Sequence, residues 1–200
     1  HRAAARGGPG AVMGSKNLKA IVVRGDLKIE VKDREAVLAL NKQTVEWEKG
    51  PMSMFVGMFG SQGTGSFYQS SVLTGDASTK NWAGAPQELT EEQILFLTSG
   101  EMDKLYKKKK FACNACPVGC GAIYQFKIGD KQIEDSSRPE YETLGSFGSM
   151  LLNGDSLTVN KCNYLCNEYG YDTISMGATV AWAMENYNKG LFTKEELNGI

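Results

Sequence analysis

Three cysteines fall within eight residues, Cys113-Asn114-Ala115-Cys116-Pro117-Val118-Gly119-Cys120. In this C-x2-C-x3-C spacing, thiolates can converge on one metal centre without distant parts of the fold bringing them together. Three such ligands invite a fourth from elsewhere, which leaves a [4Fe–4S] cluster or a structural zinc. The chain has 5 cysteines and three of them sit here, so the clustering itself argues for metal. The alternative is a disulfide plus a spare thiol. That would need an oxidising compartment, to which nothing else in the chain points.

Two hundred residues suffice for one sizeable core or two small ones. With 42% hydrophobic residues, 22% charged residues and a net charge of −1, the composition is that of a globular protein without the bulk basicity of a nucleic-acid binder. No apolar run approaches the ~20 residues that span a bilayer, so no membrane role is expected. The chain opens on His1-Arg2-Ala3-Ala4-Ala5-Arg6-Gly7-Gly8, which reads as the interior of a domain. It is therefore expected to be a fragment of a larger multidomain enzyme. Glycine is frequent at 23 residues against 5 prolines, so backbone freedom comes from glycine, often where a ligand approaches closely.

The expected fold is mainly α with a small β-rich N-terminal portion, an α+β chain with a break near residue 32. A glycine-rich opening (residues 1–16) leads to strands at 18–23 and 27–31. Asp33 caps a helix to about Lys49, ended by Gly50-Pro51. Residues 52–86 read as loop with short helical pieces. Thr90-Glu91-Glu92-Gln93 is a capping box for a helix to about Ser99. A strand at 122–128 pairs around Ile133 across Gly129-Asp130. Helices follow at 141–151, 156–169 and 173–188, and Thr193-Lys194-Glu195-Glu196 caps one more.

Several segments carry two readings. Gly8-Pro9-Gly10 and Gly14 imitate a dinucleotide fingerprint, but too few residues precede the next strand for the helix such a turn opens. With Arg2 and Arg6 beside it, the turn suits an anion, since backbone N–H groups form a nest and guanidinium forks meet phosphate. Otherwise it is an ordinary turn with solvated arginines. Lys107–Lys110 is either a solvated face or a docking patch for an acidic electron carrier. Asn167-Glu168-Tyr169-Gly170-Tyr171-Asp172 is a helix stop and N-cap. The same geometry lets a rigid carboxylate accept paired N–H groups from a heterocycle. Cys162 and Cys166 share a helix face and read as buried small side chains. His1 is the only histidine, so a catalytic histidine would have to come from outside these residues.

Taken together, these segments resemble the tungsten-dependent aldehyde ferredoxin oxidoreductases. His1 to Ala20, with Arg6-Gly7-Gly8-Pro9-Gly10-Ala11-Val12-Met13-Gly14-Ser15-Lys16-Asn17-Leu18-Lys19-Ala20, looks like one signature of that family. The C-x2-C-P-x2-C run fits its cluster motif. Glu140-Tyr141-Glu142-Thr143 resembles a further signature, and Asn167-x-x-Gly170-Tyr171-Asp172 is similar to its D-x-x-G-L-D/C pterin-binding motif. Gly63-Thr64 and Asn81-Trp82 match weaker elements. Residues 1–32 then correspond to the end of a β-rich pterin-binding N-terminal domain. Residues 33–200 correspond to the first part of a helical cluster- and pterin-binding domain.

The resemblance implies a [4Fe–4S] cluster on Cys113, Cys116 and Cys120, and tungsten (or molybdenum) held by two pterins whose phosphates magnesium bridges. Arg2, Ala3, Ala4, Arg6, Gly7 and Gly8 match the phosphate side; Asn167, Gly170, Tyr171 and Asp172 match ring contacts. Glu142 matches a carboxylate near the metal. The implied reaction is aldehyde oxidation to a carboxylic acid, with electrons passing to ferredoxin or another acidic carrier in an anaerobic cytoplasm. A homo-oligomer is compatible with it. Asn167 stands where the family usually has Asp, and Ala5 where it often has Gly. The fourth cluster cysteine, the active-site histidine and a second pterin motif would fall beyond residue 200. A tungsten-bearing subunit of an aromatic acyl-CoA reductase is a second reading within the superfamily. A non-catalytic zinc or iron–sulfur interaction module is a reading outside it.

Overall fold

The computed structural model describes residues 4, 6–27 and 29–199. Gly7 and Gly8, at φ 78° and 84°, turn the chain into a short helix, α1 (Pro9–Ser15), with Pro9 at its first position. Among the described residues, the two strands expected next do not form. Residues 18–27 and 29–32 carry no strand pairing, and Val22, Leu27 and Ile29 are 91%, 93% and 88% exposed. The alternation there is strand-like, but an extended segment needs a ladder partner, and no described residue supplies one.

Helix α2 (Arg34–Lys49) begins where expected, with the Asp33 carboxylate accepting from the Ala36 amide at 2.9 Å. The expected loop at 52–86 is more helical than its composition suggests. It holds α3 (Ser53–Gln62), a 3-10 turn (Thr64–Phe67) and α4 (Tyr68–Leu73). Helix α5 (Glu91–Phe96) opens on the full capping box, then yields to α6 (Ser99–Tyr106), for which Thr98 is a second cap. The expected helix is thus α5, and α6 follows as a helix not expected from the sequence, opened by its own N-cap.

The β part of this mainly α fold lies mid-chain. Strands β1 (Lys107–Phe111), β2 (Gly121–Ile128) and β3 (Lys131–Ser137) form an antiparallel sheet in the order β1-β2-β3. The expected hairpin is present: Ile128 pairs with Lys131 across Gly129, at φ 56°. Lys107–Lys110 become a strand because β2 offers a ladder (Lys107 opposite Tyr124, Lys110 opposite Ala122), with a register shift between Lys107 and Lys109. Ala122, Tyr124 and Phe126 alternate into the core.

Helix α7 (Tyr141–Phe147) runs through the centre. Its residues 143–147 are buried, and Gly148 breaks it before a 3-10 turn (Ser149–Leu151). Helices α8 (Ser156–Tyr169) and α9 (Thr173–Asn188) match expectation. Thr193 and Glu196 exchange capping bonds, but turns follow rather than a helix. Tyr68, Val72, Leu97, Met102, Tyr124, Leu144 and Val159 form the core around α7. A Cβ at Gly177 of α9 would lie 2.6 Å from the Ser146 Cβ, so α7 and α9 approach backbone to backbone. No helix among the described residues is long and apolar enough to cross a membrane.

Candidate cofactor and metal centre

The cysteine run is the loop between β1 and β2, closed where Phe111 pairs with Gly121. The Cys116 amide donates to the Cys113 carbonyl at 3.1 Å, and Ala115 and Gly119 take φ 55° and 59°. Cys113 is exposed, Cys116 and Cys120 are partly buried, and all three are free thiols. Burial pushes the Cys120 thiol up, and the charges of Glu140, Cys116 and Cys113 add to it. Among the described residues, no three Cys, His, Asp or Glu side chains are drawn together tightly enough to hold an ion as they stand. The loop thus brings three thiols to one end of the sheet without closing them on a point.

The rear of this loop is pinned by a residue that no motif flags. Arg138 is 5% exposed. Its Nη1 donates to both Asp103 carboxylate oxygens (3.1 and 3.0 Å) and to the Ser61 carbonyl (3.2 Å), and its Nη2 donates to the Cys120 carbonyl. Tyr124 Oη and Lys107 Nζ complete the site, each 2.7 Å from Asp103. Burial, then the Asp103 carboxylate it bonds, pushes the Tyr124 phenol up. A Cβ at Gly63 would stand 2.6 Å from Arg138 Nη2 and 2.9 Å from the Cys120 carbonyl oxygen; one at Gly60 would stand 2.9 Å from the Val118 carbonyl oxygen. The glycines ending α3 therefore give the cysteine loop its seat. Arg138 stands alone between β3 and Pro139, with no spacing pattern to betray it.

Glu142 is exposed in the first turn of α7. Thr64 fixes that turn: its hydroxyl donates to Glu140 and accepts from the Tyr141 amide at 2.9 Å. Glu142 borders two cavities. One of about 510 Å³ carries Phe59, Phe67 and Tyr141 on its wall and Asp76 and Glu140 beside it. The other, about 360 Å³, lies against Trp82, Ser146 and Ile174. Trp82 belongs to three consecutive left-handed residues, Lys80, Asn81 and Trp82 (φ 46°, 50° and 63°). Bonds from the Lys80 and Asn81 amides to the Ser149 and Met150 carbonyls hold that strained turn in place. Burial, with the charges of Asp76 and Glu142, pushes the Tyr141 phenol up.

In the third segment, Gly170 closes α8 in the left-handed conformation (φ 81°) and the Tyr171 amide bonds the Cys166 carbonyl at 2.8 Å. Cys166 is buried and Cys162 packs on the core, both as plain small side chains. Asn167 spends its amide on the Asn163 carbonyl at 2.8 Å. Asp172 caps α9: one carboxylate oxygen accepts from the Ser175 amide and hydroxyl, both at 2.9 Å. The other accepts from Arg6 Nε at 3.2 Å and Nη2 at 2.8 Å. Burial opposes the Asp172 charge, but the Ser175 amide and Arg6 outweigh it and hold the carboxyl below the usual range. The glycine turn and the 167–172 segment, 166 residues apart, thus meet through one ion pair. Ala4 joins the turn by accepting from the Gly10 amide at 3.1 Å. Arg2 and Ala3 lie outside the described residues.

The strands that flank the cysteine loop share a cavity with the Asn167 segment. About 410 Å³ opens between Phe111 and Ile123, which flank the cysteine loop, and Tyr164, Asn167 and Glu168 of α8. The Asn163 side-chain amide, bonded to the Ser137 carbonyl at 2.7 Å, fixes α8 to the sheet there. Glu142 opens on different cavities, but a bond between the Thr143 and Thr173 hydroxyls (2.9 Å) ties its helix to α9 beside Asp172.

Free thiols in a pinned loop fit an iron–sulfur cluster. Arg6, with a side chain 67% exposed, and the left-handed Gly7 and Gly8 fit an anionic cofactor arm. The Asp172 carboxylate takes the expected N-cap role and is met by four protein N–H and O–H groups. A ring edge would reach it only by displacing Arg6 or Ser175. The family description "Aldehyde ferredoxin oxidoreductase, domains 2 & 3" matches residues 27–200, and its N-terminal domain matches residues 1–25. Tungsten-containing aldehyde ferredoxin oxidoreductases of Pyrococcus abyssi and Pyrococcus horikoshii are each 39% identical over the whole chain. An aliphatic sulfonate oxidoreductase, WOR-like subunit, of Pyrococcus furiosus is 32% identical over 98% of the chain. The chain spans 31% of the length of the first two relatives and 30% of the third. With both domain descriptions matched in order along one sequence, the chain belongs to the aldehyde ferredoxin oxidoreductase family.

Proposed function

We propose that these residues are part of an enzyme that oxidises an aldehyde to a carboxylic acid and passes the electrons through a [4Fe–4S] cluster to ferredoxin. The observation that supports this reading is the cavity between Phe111 and Ile123, on the strands that flank the cysteine loop, and the Asn167 end of α8; a cluster on the loop would then lie near a pterin held by the 167–172 segment. Tungsten in its pterin cofactor would supply the two-electron redox step, and the cluster the single-electron path. The balance is aldehyde plus water giving carboxylic acid, two protons and two electrons.

The chain's own residues supply the setting. Cys113, Cys116 and Cys120 would hold the cluster as thiolates, on a loop whose backbone Arg138 keeps in place. Arg6, Gly7 and Gly8, with Arg2, Ala3 and Ala4 before them, would face the pterin phosphates and their magnesium. Asn167, Gly170 and Tyr171 would flank the ring, and Asp172 would hold Arg6 towards it. Glu142, open to both cavities at the start of α7, would accept a proton from the water that becomes the acid's second oxygen.

The test is metal analysis and turnover of the full-length protein prepared without oxygen. Tungsten and iron should be bound, and aldehyde should reduce a viologen dye. Glu142→Gln should lower that rate by about 100-fold with both metals retained. Zinc in place of tungsten and iron would return the chain to a non-catalytic module. Tungsten and iron without an aldehyde-dependent rate would overturn the aldehyde reading in favour of another substrate, such as an aromatic acyl-CoA.

A further inference from the structure

Strand β1 is an edge strand whose outer side meets no other strand among the described residues. Its four lysines are not equivalent. Lys107 is committed to Asp103 and Lys108 reaches Glu134 at 2.8 Å. Lys109 and Lys110 are exposed, and neither side chain forms an ion pair or hydrogen bond among the described residues. As neighbours in a strand they point to opposite faces, so the two ammonium groups straddle the open edge. Three residues further on is Cys113, the exposed member of the cysteine run. The unpaired positive charge therefore ends beside the most accessible thiol of the proposed cluster.

An edge strand rich in lysine also resists pairing with other chains, which accounts for some of the charge. Protection of the edge does not require the charge to adjoin a redox loop, and Lys107 and Lys108 are already drawn off into internal pairs. The chain as a whole carries a net charge of −1, so these lysines do not simply reflect a bulk basic composition.

We infer that the β1 edge, centred on Lys109 and Lys110 and ending at Cys113, is the docking surface for an acidic electron-carrier protein. The inference rests on the reading of the cysteine loop as an iron–sulfur site. Opposite charge on the carrier raises the encounter rate and orients it with its own redox centre towards the loop, and salt screens the attraction.

The test uses the full-length holoenzyme with two acceptors, an acidic ferredoxin and a small viologen dye that needs no docking surface. Lys109→Glu/Lys110→Glu should lower kcat/KM for the ferredoxin by about 10-fold or more at low ionic strength. The deficit should shrink as salt approaches about 0.2 M, while the dye-linked rate and iron content stay as in the unaltered enzyme. Lys109→Gln/Lys110→Gln, which keeps the stems and removes the charge, should show the same effect at smaller size. Unchanged ferredoxin kinetics in both variants would overturn the docking surface and leave the cluster intact. Absence of iron or of dye-linked activity in the unaltered enzyme would instead strike the reading beneath it. Direct binding of the ferredoxin at low salt, weakened in both variants or not, would still decide for or against the surface.

Discussion

The cysteine loop and the Arg6–Asp172 junction are opposites in how their polar atoms are used. In the loop the backbone is pinned from behind by buried Arg138, while three thiols are left free. At the junction the carboxylate has every acceptor position occupied, while the partner that occupies half of them is an exposed arginine. Under the proposed function, free thiols on a fixed backbone would receive a cluster. A saturated carboxylate is arranged to hold a neighbour. Both segments resemble known motifs in sequence, and the structure adds that one leaves its side chains free while the other has its carboxylate paired.

The largest effect belongs to the receiving site. Cys116→Ser in the full-length protein should remove the broad visible absorption and most of the bound iron, because one thiolate of the set is lost. Full retention of iron and sulfide would erase the contrast, since the loop would then be an ordinary turn. Next comes the pin. Arg138→Met leaves Asp103 without its buried cation and the Cys120 and Ser61 carbonyls without their donor. Breaking a buried pair by removing one partner costs about 3–5 kcal/mol, read from denaturant titration, and iron content should fall with it. A loss under about 1 kcal/mol would mean that the loop holds its own shape.

How far the sequence discloses these regions depends on the range of the forces involved. Helix α2 was legible because the Asp33 cap and the Gly50-Pro51 stop mark its ends locally, although it buries no residue. Helices α8 and α9 were legible at the boundary between them, from the Gly170 stop and the Asp172 cap, and the structure adds Asp155 as the cap of α8. The strand at Lys107–Lys110 was not, because its propensity is poor and its ladder comes from β2. The extended residues 18–23 failed for the converse reason: the pattern is strand-like and the partner is missing. In the site, cysteine spacing disclosed the loop, but Arg138 makes only long-range contacts and leaves no trace in any window of sequence. That Asp172 is saturated is equally invisible, since Arg6 is 166 residues away.

The smallest expected effect tests the holding site. Asn caps helices as well as Asp, so Asp172→Asn should keep the bonds from Ser175 to its single side-chain oxygen. The Arg6 pair is then lost. With Arg6 exposed to solvent, that pair stabilises by only about 0.2–1 kcal/mol. The folded Asp172 carboxyl sits below its ordinary range, so its contribution is present above the unfolded value of about 3.9. It is lost as pH falls through the lower folded value. The stability gap between unaltered protein and variant should therefore be constant from about pH 5 to 8 and close in stronger acid. Tungsten content should stay near that of the unaltered protein, because in this geometry Asp172 reaches the cofactor only through Arg6. A variant that melts as expected yet loses most of its tungsten would show that a ring edge displaces Arg6 and bonds the carboxylate directly. The junction would then be a receiving site held shut by its own arginine until the cofactor arrives.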